Sequence, residues 1–366
     1  MLERLERKIN NKDGFIELET AEIGGLEYAF YLNHSKGTEK FLYTTKASNC
    51  FNIKFIQGNY RAVFFYKDGN NISIFKIDFY IDSNQKLVEA VYRKIVEKDG
   101  YKIDFYNIGA TKTFVVFNGA GSTKKTHPFG LYYLVKNGFN VVACLQENNQ
   151  YQDLSFEDVE KYVGPIVNEH DVYLYGSSLG GYCAVYYAGA LNGTVIASAP
   201  RNSSHPSLRD KVKDTSYFIT QQFKHVRFNQ NKNSDKKIFI FIDPYVDNDI
   251  YFLNEVIKKE LKNIKQFNCN YAGHEVFFHL KSTSQLKEII KSITSGKDPI
   301  VYDIDSCYSY IGIAKDYLKK KDYQGALFFS ERALVDKSIN KEFRKRFEKV
   351  NSIAFKAYQK NKEAVT

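Results

Sequence analysis

Ser178 lies in the sequence GSSLG (176–180), which matches the GxSxG pattern of serine nucleophiles. The apolar run DVYLYG (171–176) ends at the first glycine, and small and apolar residues follow it as far as position 191. Glycines on both sides of a serine let the chain turn sharply from a strand into a helix and project the hydroxyl above the sheet. We therefore predict Ser178 as a nucleophile. Ser177 has no glycine two residues away on either side and does not fit.

Seven histidines are candidates for the general base that a serine nucleophile needs. His274, in NYAGHEVF, directly follows the last apolar strand expected in the chain, and the residues of such a site run in the order serine, acid, histidine. His279 lies five residues later in an expected helix and is the weaker candidate. The other five come too early for this order: His34, His127, His170, His205 and His225.

Three aspartates in DPYVDND (243–249) compete to orient that histidine. Asp243 ends the apolar strand KIFIFID, and the proline after it suits a residue that stabilises a turn. Asp249 lies deeper in the loop, directly before the expected helix IYFLNEVIKKEL, where a carboxylate also fits a plain N-cap. We favour Asp249 as the acid, with Asp243 and Asp247 as the alternatives.

Two backbone N–H groups are expected to stabilise the oxyanion of an acyl-transfer intermediate. One comes from Leu179, which follows the nucleophile, and the other from NGAGS (118–122), the loop after the first strand of the α/β region. The small residues Gly119 and Ala120 let the backbone approach an intermediate closely; the alternative is a flexible loop. GAGSTKK lacks both the dinucleotide fingerprint and the GxxxxGK[ST] spacing, which excludes a nucleotide site.

The elements that must position these residues change character near residue 108. Short aromatic and β-branched runs, separated by turns at a spacing of about ten residues, predict an antiparallel sheet or sandwich over 1–108, with a helix only at 87–98. After Gly109, near-continuous apolar strands alternate with helical stretches, which predicts an α/β domain with a parallel sheet covered by helices on both faces. The predicted strands are 113–119, 139–146, 172–176, 194–200, 237–243 and 266–273.

A hydrophilic stretch, SITSGKDP (292–299), leads from this domain into a helical tail. The tail matches the small and aromatic positions of one tetratricopeptide repeat, without the aromatic of its second helix or its final proline. The matching residues are Tyr310, Ala314, Tyr317, Ala326 and Ala333. Either a helical hairpin packs on the α/β domain, or the tail docks a partner. The predicted domains are thus 1–108, 109–296 and 303–366.

The motifs GSSLGG, AGH, DPYVDND and NGAG together resemble the α/β-hydrolase superfamily over about residues 109–295. The longer stretches YLYGSSLGGYCAVYY, IASAPR and DIYFLNE resemble proteins of bacterial capsule and surface-glycan loci. These include polysaccharide O-acetyltransferases that use a serine triad and acetyl-CoA. A strand-rich region ahead of such a domain is also seen in the accessory-secretion glycan acetyltransferases. The resemblance places the triad acid at Asp249, although the loop before it is longer here.

The resemblance implies an esterase or O-acetyltransferase that acts on a bacterial polysaccharide through an acyl-Ser178 intermediate. Hydrolysis would require no cofactor and no metal, whereas transfer would use acetyl-CoA as the acyl donor. The alternatives are a non-catalytic glycan-binding or capsule-assembly protein that keeps the fold, and a lipase or peptidase. Arg201, in SAPRNSS at the carboxyl end of the fourth strand of the α/β region, is expected either to bind an anionic group of the substrate or to lie on the surface.

The positive charge of the chain is concentrated in the tail. The 366 residues contain 52 Lys and Arg against 42 Asp and Glu, and residues 306–366 hold 14 of the former against seven of the latter. An anionic glycan, a membrane surface or an acidic protein is therefore the expected partner of the tail, with a solvated lysine-rich face as the alternative. No helix-turn-helix, zinc or RNA-recognition signature accompanies the charge, so nucleic acid is not expected as a partner.

Targeting and cysteine patterns indicate a cytoplasmic protein, placed at most peripherally on the inner face of the membrane. The start MLERLERKINNKDG lacks the apolar core of a signal peptide, and no stretch approaches the roughly 18 apolar residues that a membrane span needs. The five cysteines are widely separated and form no CxxC pair. This pattern fits free thiols in a reducing compartment and excludes a zinc site of cysteine pairs.

Overall fold

The computed structural model describes residues 2, 5–209, 211, 222–228, 233–337 and 339–365. Its strands are β1 (Arg7–Lys12), β2 (Phe15–Thr20), β3 (Glu27–His34), β4 (Gly37–Thr44), β5 (Ser48–Lys54), β6 (Gly58–Asp68), β7 (Asn71–Ile81), β8 (Leu87–Val88), β9 (Val91–Glu97), β10 (Tyr101–Asn107), β11 (Lys112–Phe117), β12 (Asn140–Gln146), β13 (Asp171–Ser177), β14 (Thr194–Ser198), β15 (Ile238–Ile242) and β16 (Ile264–Asn268).

The helices of the described residues lie mostly between and after the later strands. They are α1 (Leu131–Lys136), α2 (Phe156–Val167), α3 (Leu179–Tyr186), α4 (Ala188–Leu191), α5 (Pro206–Arg209), α6 (Asp247–Phe252), α7 (Lys258–Glu260), α8 (Val276–Ser282), α9 (Gln285–Thr294), α10 (Cys307–Lys319), α11 (Tyr323–Leu334) and α12 (Lys341–Val365), with a π-helical turn at Leu253–Ile257 that joins α6 to α7.

The first eight strands form two antiparallel sheets, in the orders β1-β2-β5 and β4-β3-β6-β7-β8. In β2, every second residue is buried, because successive side chains of a strand point to opposite faces. Ile16 and Leu18 from the smaller sheet share one apolar core with Phe30, Phe64 and Phe79 from the larger sheet. The predicted β-rich region is confirmed, with two sheets around a common core.

The prediction of a helix at 87–98 is wrong. These residues instead form β8 and β9, and β9 pairs antiparallel with β10 from Val91 opposite Asn107 to Glu97 opposite Lys102. Val91, Tyr92, Ile95 and Val96 are β-branched or aromatic residues that favour a strand, and pairing with a neighbouring strand decides between the two conformations.

The remaining strands belong to an eight-stranded sheet in the order β16-β15-β14-β13-β11-β12-β10-β9. Parallel pairing joins β13 to β14, β14 to β15 and β15 to β16. All five residues of β15, IFIFI, are buried, as expected of a strand inside a parallel sheet. The predicted α/β fold is confirmed, and the antiparallel β9–β10 pair makes the sheet mixed.

By their internal contacts the residues divide into two compact units, of which the second holds every residue predicted for the site. The first comprises 1–97, 102–114 and 130–143, and the second comprises 98–101, 115–129 and 144–366. The predicted domain limits at 108 and 296 remain predictions.

The C-terminal region is helical, as predicted, and consists of α10, α11 and α12. Ala314, Ala326 and Ala333 are fully buried, and α11 packs on both α10 and α12. The tail thus has three helices where a two-helix hairpin was expected, and its relation to the tetratricopeptide repeat remains a prediction. Within the part of the chain that the structure describes, no helix combines the length and apolarity that a membrane span requires.

Candidate active site

Ser178 occupies a strained turn between β13 and α3. Its backbone has φ 55° and ψ −121°, a conformation that costs energy for any residue with a side chain. Three backbone hydrogen bonds hold it there: Ser178 N–H donates to Ser198 O at 2.9 Å, and its carbonyl accepts from Tyr182 N at 2.9 Å and from Arg201 N at 3.1 Å. The strain is therefore imposed by the surrounding backbone, which presents the hydroxyl at the carboxyl end of the strand.

The two glycines that flank this serine are required by close backbone approach. A Cβ atom on Gly176 would lie 2.3 Å from the carbonyl carbon of Gly180. A Cβ atom on Gly180 would lie 2.2 Å from the carbonyl oxygen of Phe117, the last residue of β11. Real Cβ atoms essentially never approach other atoms so closely. The GxSxG spacing thus allows the first turn of α3 to pack against the strand before it and the strand beside it.

His274 joins Ser178 to Asp249 through two short hydrogen bonds. Its Nε2 lies 2.7 Å from Ser178 Oγ, and its Nδ1 lies 2.7 Å from Asp249 Oδ2. An ionised carboxylate only accepts hydrogen bonds, so Nδ1 carries the proton and donates it, which leaves Nε2 free to accept from the serine hydroxyl. This is the tautomer that a general base requires.

The structure brings Asp249, and neither of the other two aspartates, to His274. Asp249 is completely buried near the start of α6, whereas 89% of the Asp247 side chain is exposed. Asp243 accepts hydrogen bonds from Tyr245 N at 2.9 Å and from Gly273 N at 2.7 Å. Burial raises the pKa of the Asp243 carboxyl above its ordinary value. Asp243 therefore holds together the loops that carry the acid and the histidine.

The other histidine considered after the last strand, His279, has a different partner. It is buried in α8, and its Nδ1 lies 2.8 Å from the hydroxyl of Ser306, which caps α10. Burial lowers its pKa, so the ring stays neutral in the interior. His279 thus connects α8 to the start of α10.

Arg201 contacts the buried acid. Its Nη1 donates to Asp249 Oδ1 at 2.7 Å, so the two carboxylate oxygens have one partner each, the arginine and the histidine. A fully buried carboxylate is costly unless it is paired, and Arg201 supplies that compensation. The predicted contact of Arg201 with a substrate anion remains a prediction. The role that the structure gives this arginine was missed, because it depends on a residue 48 positions away.

The residues predicted for the oxyanion site lie around the first turn of α3. Leu179 is the first residue of that helix, where backbone N–H groups have no acceptor within the helix. The Phe117 and Asn118 carbonyls lie against Gly180, so the loop that continues into Gly119 and Ala120 begins beside this helix end. Ala120 is exposed and Gly119 is half-buried, which leaves both accessible from solvent.

A buried polar network that sequence reasoning missed fixes this loop. Gln146 Nε2 donates to Gly119 O at 3.2 Å and to Ser122 Oγ at 3.0 Å. The hydroxyl of Tyr151 accepts from Asn118 N at 2.7 Å, and burial raises the pKa of this phenol well above its ordinary value. Asn118 and Gln146 each stand at the end of an apolar strand, a signal that marks the carboxyl edge of a parallel sheet.

Among the described residues, no group of three or more His, Cys, Asp and Glu side chains is arranged to hold a metal ion. The donors near Ser178 are already engaged with one another: Asp249 with Arg201 and His274, and His274 with the serine. The groups that can react in this site are therefore the Ser178 hydroxyl, the His274 imidazole and the Asp249 carboxylate.

No protein-family model and no curated protein matches this chain. Solved structures to which it is similar include the dienelactone hydrolase from Anabaena variabilis, at 12% identity and a TM-score of 0.36 over 57% of this chain and 96% of that chain. Est1E from Butyrivibrio proteoclasticus is 14% identical, with a TM-score of 0.37 over 56% and 99%. The esterase EaEST from Exiguobacterium antarcticum is 12% identical, with a TM-score of 0.35 over 55% and 98%.

The chain itself has the features by which an α/β-hydrolase fold is recognised. A GxSxG elbow joins a parallel strand to a helix, and the acid and the histidine follow later strands of the same sheet in the order serine, acid, histidine. The fold of this chain is therefore of the α/β-hydrolase type.

Proposed function

We propose that the protein is a serine-dependent acyl-transfer enzyme that works through a covalent acyl-Ser178 intermediate. The observation that carries the proposal is the continuous hydrogen-bond chain from Ser178 Oγ through His274 to the buried carboxylate of Asp249. In each link a donor faces an acceptor at 2.7 Å, and the serine stands on a strained elbow that exposes its hydroxyl.

In the first half-reaction, Ser178 Oγ attacks the carbonyl carbon of an ester or thioester while His274 Nε2 takes the hydroxyl proton. Asp249 stabilises the imidazolium that forms. When the tetrahedral intermediate collapses, the bond to the alcohol or thiol breaks, and His274 returns the proton to that leaving group. The acyl group then remains on Ser178 as an ester.

The negative charge of the tetrahedral intermediate falls on the former carbonyl oxygen. We assign its stabilisation to the backbone N–H groups of Leu179 and of the loop at Gly119 and Ala120. Backbone donors that are already fixed in place stabilise a developing charge without reorganising during the reaction. The hydrogen bonds of Gln146 and Tyr151 support this assignment, because they hold the loop before substrate arrives.

In the second half-reaction, an acceptor hydroxyl gives its proton to His274 and attacks the acyl carbon. The bond between that carbon and Ser178 Oγ then breaks, and His274 returns the proton to the serine oxygen. Water as the acceptor makes the protein an esterase, and a sugar hydroxyl makes it an O-acetyltransferase with acetyl-CoA as the donor. We propose a bacterial capsular or surface polysaccharide as the carbohydrate, on the basis of the sequence resemblance around Ser178 and Asp249. A lipase or peptidase would use the same residues.

A fluorophosphonate probe tests the nucleophile directly. Wild-type protein is expected to be labelled covalently, and Ser178→Ala to lose the label completely. Ser177→Ala is the matched control: the Ser177 hydroxyl contacts Ser198 Oγ at 2.9 Å, so this variant should label like the wild type. A folded wild type that remains unlabelled would contradict the proposal and favour a non-catalytic glycan-binding or assembly protein.

Two substrates separate hydrolysis from transfer. An esterase is expected to release p-nitrophenol from p-nitrophenyl acetate at the same steady rate with and without added oligosaccharide. A transferase is expected to move labelled acetate from acetyl-CoA onto the oligosaccharide, with little loss to water. Ser178→Ala should abolish either activity, so acetyl transfer that persists in this variant would be non-enzymatic.

We also propose that the cationic tail brings the protein to an anionic partner in the cytoplasm, either a glycan, an acidic protein or the inner face of the membrane. The exposed lysines Lys356, Lys360 and Lys362 lie near the end of α12. Replacing all three with glutamine should weaken binding to vesicles that contain anionic lipid and leave binding to neutral vesicles unchanged. Equal binding by both proteins would contradict a membrane partner.

A further inference from the structure

A cavity of about 420 Å³ lies beside the histidine of the proposed triad. Three groups of residues line it: the acid loop from Asp243 to Asn248, the histidine loop from Tyr271 to Glu275, and side chains of α10 and α12. His274 forms part of its wall, whereas Ser178 does not. Its volume falls within the roughly 300–1,000 Å³ of small-molecule sites. A ligand here would lie next to the base and away from the nucleophile.

An open aromatic platform forms one side of this cavity. The rings of Tyr245 and Tyr271 stack with their centroids 4.3 Å apart and their planes 12° from parallel, and half of Tyr245 is exposed. Tyr271 has φ 59°, an unfavourable conformation for a residue with a side chain, so the backbone carries strain to place this ring. The C–H groups of a pyranose ring pack well on the electron-rich face of such a platform.

The charges around the cavity favour a neutral ligand. Its lining holds four carboxylates and three cationic side chains, so there is no excess of positive charge to attract a phosphate group. The cation Arg346 is engaged by Glu275 at 2.8 Å and by Glu342 at 2.6 Å. Asp247 is 89% exposed and only loosely paired, with Lys319 Nζ 3.9 Å from its Oδ2, and half-buried Asn248 follows it. Both are polar groups of the kind that bind sugar hydroxyls.

We propose that this cavity binds a neutral sugar residue of the substrate, adjacent to the sugar whose hydroxyl reacts. The inference rests on the proposed acyl transfer and deepens it, since it assigns the carbohydrate to a definite place. It also gives the C-terminal helices a part in substrate recognition, because side chains of α10 and α12 line the cavity together with the two tyrosines.

Binding is tested in the Ser178→Ala background, where no turnover occurs. The probes are the methyl glycosides of glucose, galactose, N-acetylglucosamine and N-acetylgalactosamine, followed by saturation-transfer NMR and titration. At least one is expected to bind, and Tyr245→Ala should weaken that binding at least tenfold, whereas Tyr245→Phe should retain it. The matched control is Tyr302→Ala, because Tyr302 is an exposed tyrosine outside the cavity and its loss should leave binding unchanged.

Three results would overturn the proposal: no glycoside binds, Tyr245→Ala binds as tightly as its parent, or glucose 6-phosphate displaces the neutral sugars at lower concentration. In the active protein, Tyr245→Ala should lower kcat/KM for an acetylated disaccharide, which has a sugar next to the reacting one, at least tenfold more than for p-nitrophenyl acetate. Equal losses on both substrates would mean a merely structural role. Fluorophosphonate labelling of the wild type is independent of these results, so failure of the catalytic proposal and failure of this one are distinguishable.

Discussion

Ser178 and His274 both lie on turns that follow parallel strands, yet the two turns are held by different kinds of contact. The serine turn is held by its own strand and helix and by the two strands beside them. Gly180 rests against Phe117 O, and the Ser178 backbone bonds to Ser198 and Tyr182. The glycines that permit this packing lie within two residues of the nucleophile.

The histidine turn depends on residues that are distant in the chain. Gly273 N–H is held by the carboxylate of Asp243, 30 residues earlier. From the other side, α10 crosses the loop so closely that a Cβ atom on Gly312 would lie 2.1 Å from Tyr271 O. The C-terminal helices therefore support the base, and the position of His274 is a property of the whole second unit.

Gly180→Ala is expected to have the largest effect of any change outside the triad. The added methyl group would meet a backbone oxygen of β11, which cannot move without disturbing the sheet. The elbow must shift, and both the serine hydroxyl and the Leu179 N–H go with it. We expect kcat for p-nitrophenyl acetate to fall by at least about a thousandfold.

Gly24→Ala serves as the control for that change. No atom outside the neighbouring residues lies within 4 Å of a Cβ built on Gly24, so activity should stay at the wild-type level. A wild-type kcat in Gly180→Ala would mean that the elbow tolerates the displacement. The close packing of Gly180 on Phe117 O would then not be what holds the serine turn.

Gly312→Ala tests whether the C-terminal helices position the base. The methyl group would press on the backbone of Tyr271, three residues before His274. A displacement near 1 Å at a reacting group costs about a hundredfold in rate, so kcat should fall by that order. Fluorophosphonate labelling of Ser178 should persist at a reduced rate, because the elbow itself is untouched.

The matched variant for the tail is Gly325→Ala in α11. A Cβ atom there would lie 2.6 Å from the ring of Tyr317, which is also part of the tail, and not from the histidine loop. This change should lower the melting temperature without lowering kcat of the folded protein. Equal losses of kcat in both variants would show that general destabilisation, and not the crossing of α10, controls the base.

The same contrast explains which parts of the site the sequence could predict. The glycines that the elbow requires both lie within two residues of Ser178, so the GSSLG motif after an apolar strand was sufficient to place the nucleophile. The choice among Asp243, Asp247 and Asp249 depends on how a loop of seven residues folds, and only the folded loop shows that Asp249 contacts His274. Arg201 and Gly312 act through residues 48 and 41 positions away, a distance over which no local pattern carries information.

The stability of the region around α3, the helix that follows the elbow, is expected to depend on pH. His225 stacks on Tyr186 of α3 with ring centroids 4.6 Å apart, and burial lowers its pKa to about 4 from an ordinary value of 6.5. Between these pH values the unfolded chain binds a proton that the folded protein excludes. The contribution of neutral His225 to the free energy of unfolding is therefore fully present above pH 6.5. It is lost as the pH falls towards 4, by about 3 kcal/mol.

His225→Gln should remove this pH-dependent contribution to the free energy of unfolding. The test compares two pH values, so it does not depend on how much stability the substitution costs at neutral pH. Urea unfolding at pH 7.5 and pH 4.5 should give a smaller difference between the two pH values for the variant than for the wild type. An unchanged difference would mean that other groups near α3 carry the acid sensitivity.

Arg346→Ala is expected to have the smallest effect, although Arg346 forms the visible ion pair between α12 and the histidine loop. Its Nη1 lies 2.8 Å from Glu275 Oε1, but about half of the arginine side chain and 29% of the glutamate are exposed to solvent. Water and salt screen such a pair, so its loss should cost less than about 1 kcal/mol, and 1 M NaCl should remove most of that difference. We expect kcat for p-nitrophenyl acetate to fall less than threefold, against about a hundredfold for Gly312→Ala. If instead the arginine variant loses as much activity as the glycine variant, the loop is held by charge, and the backbone crossing at Gly312 is not what positions His274.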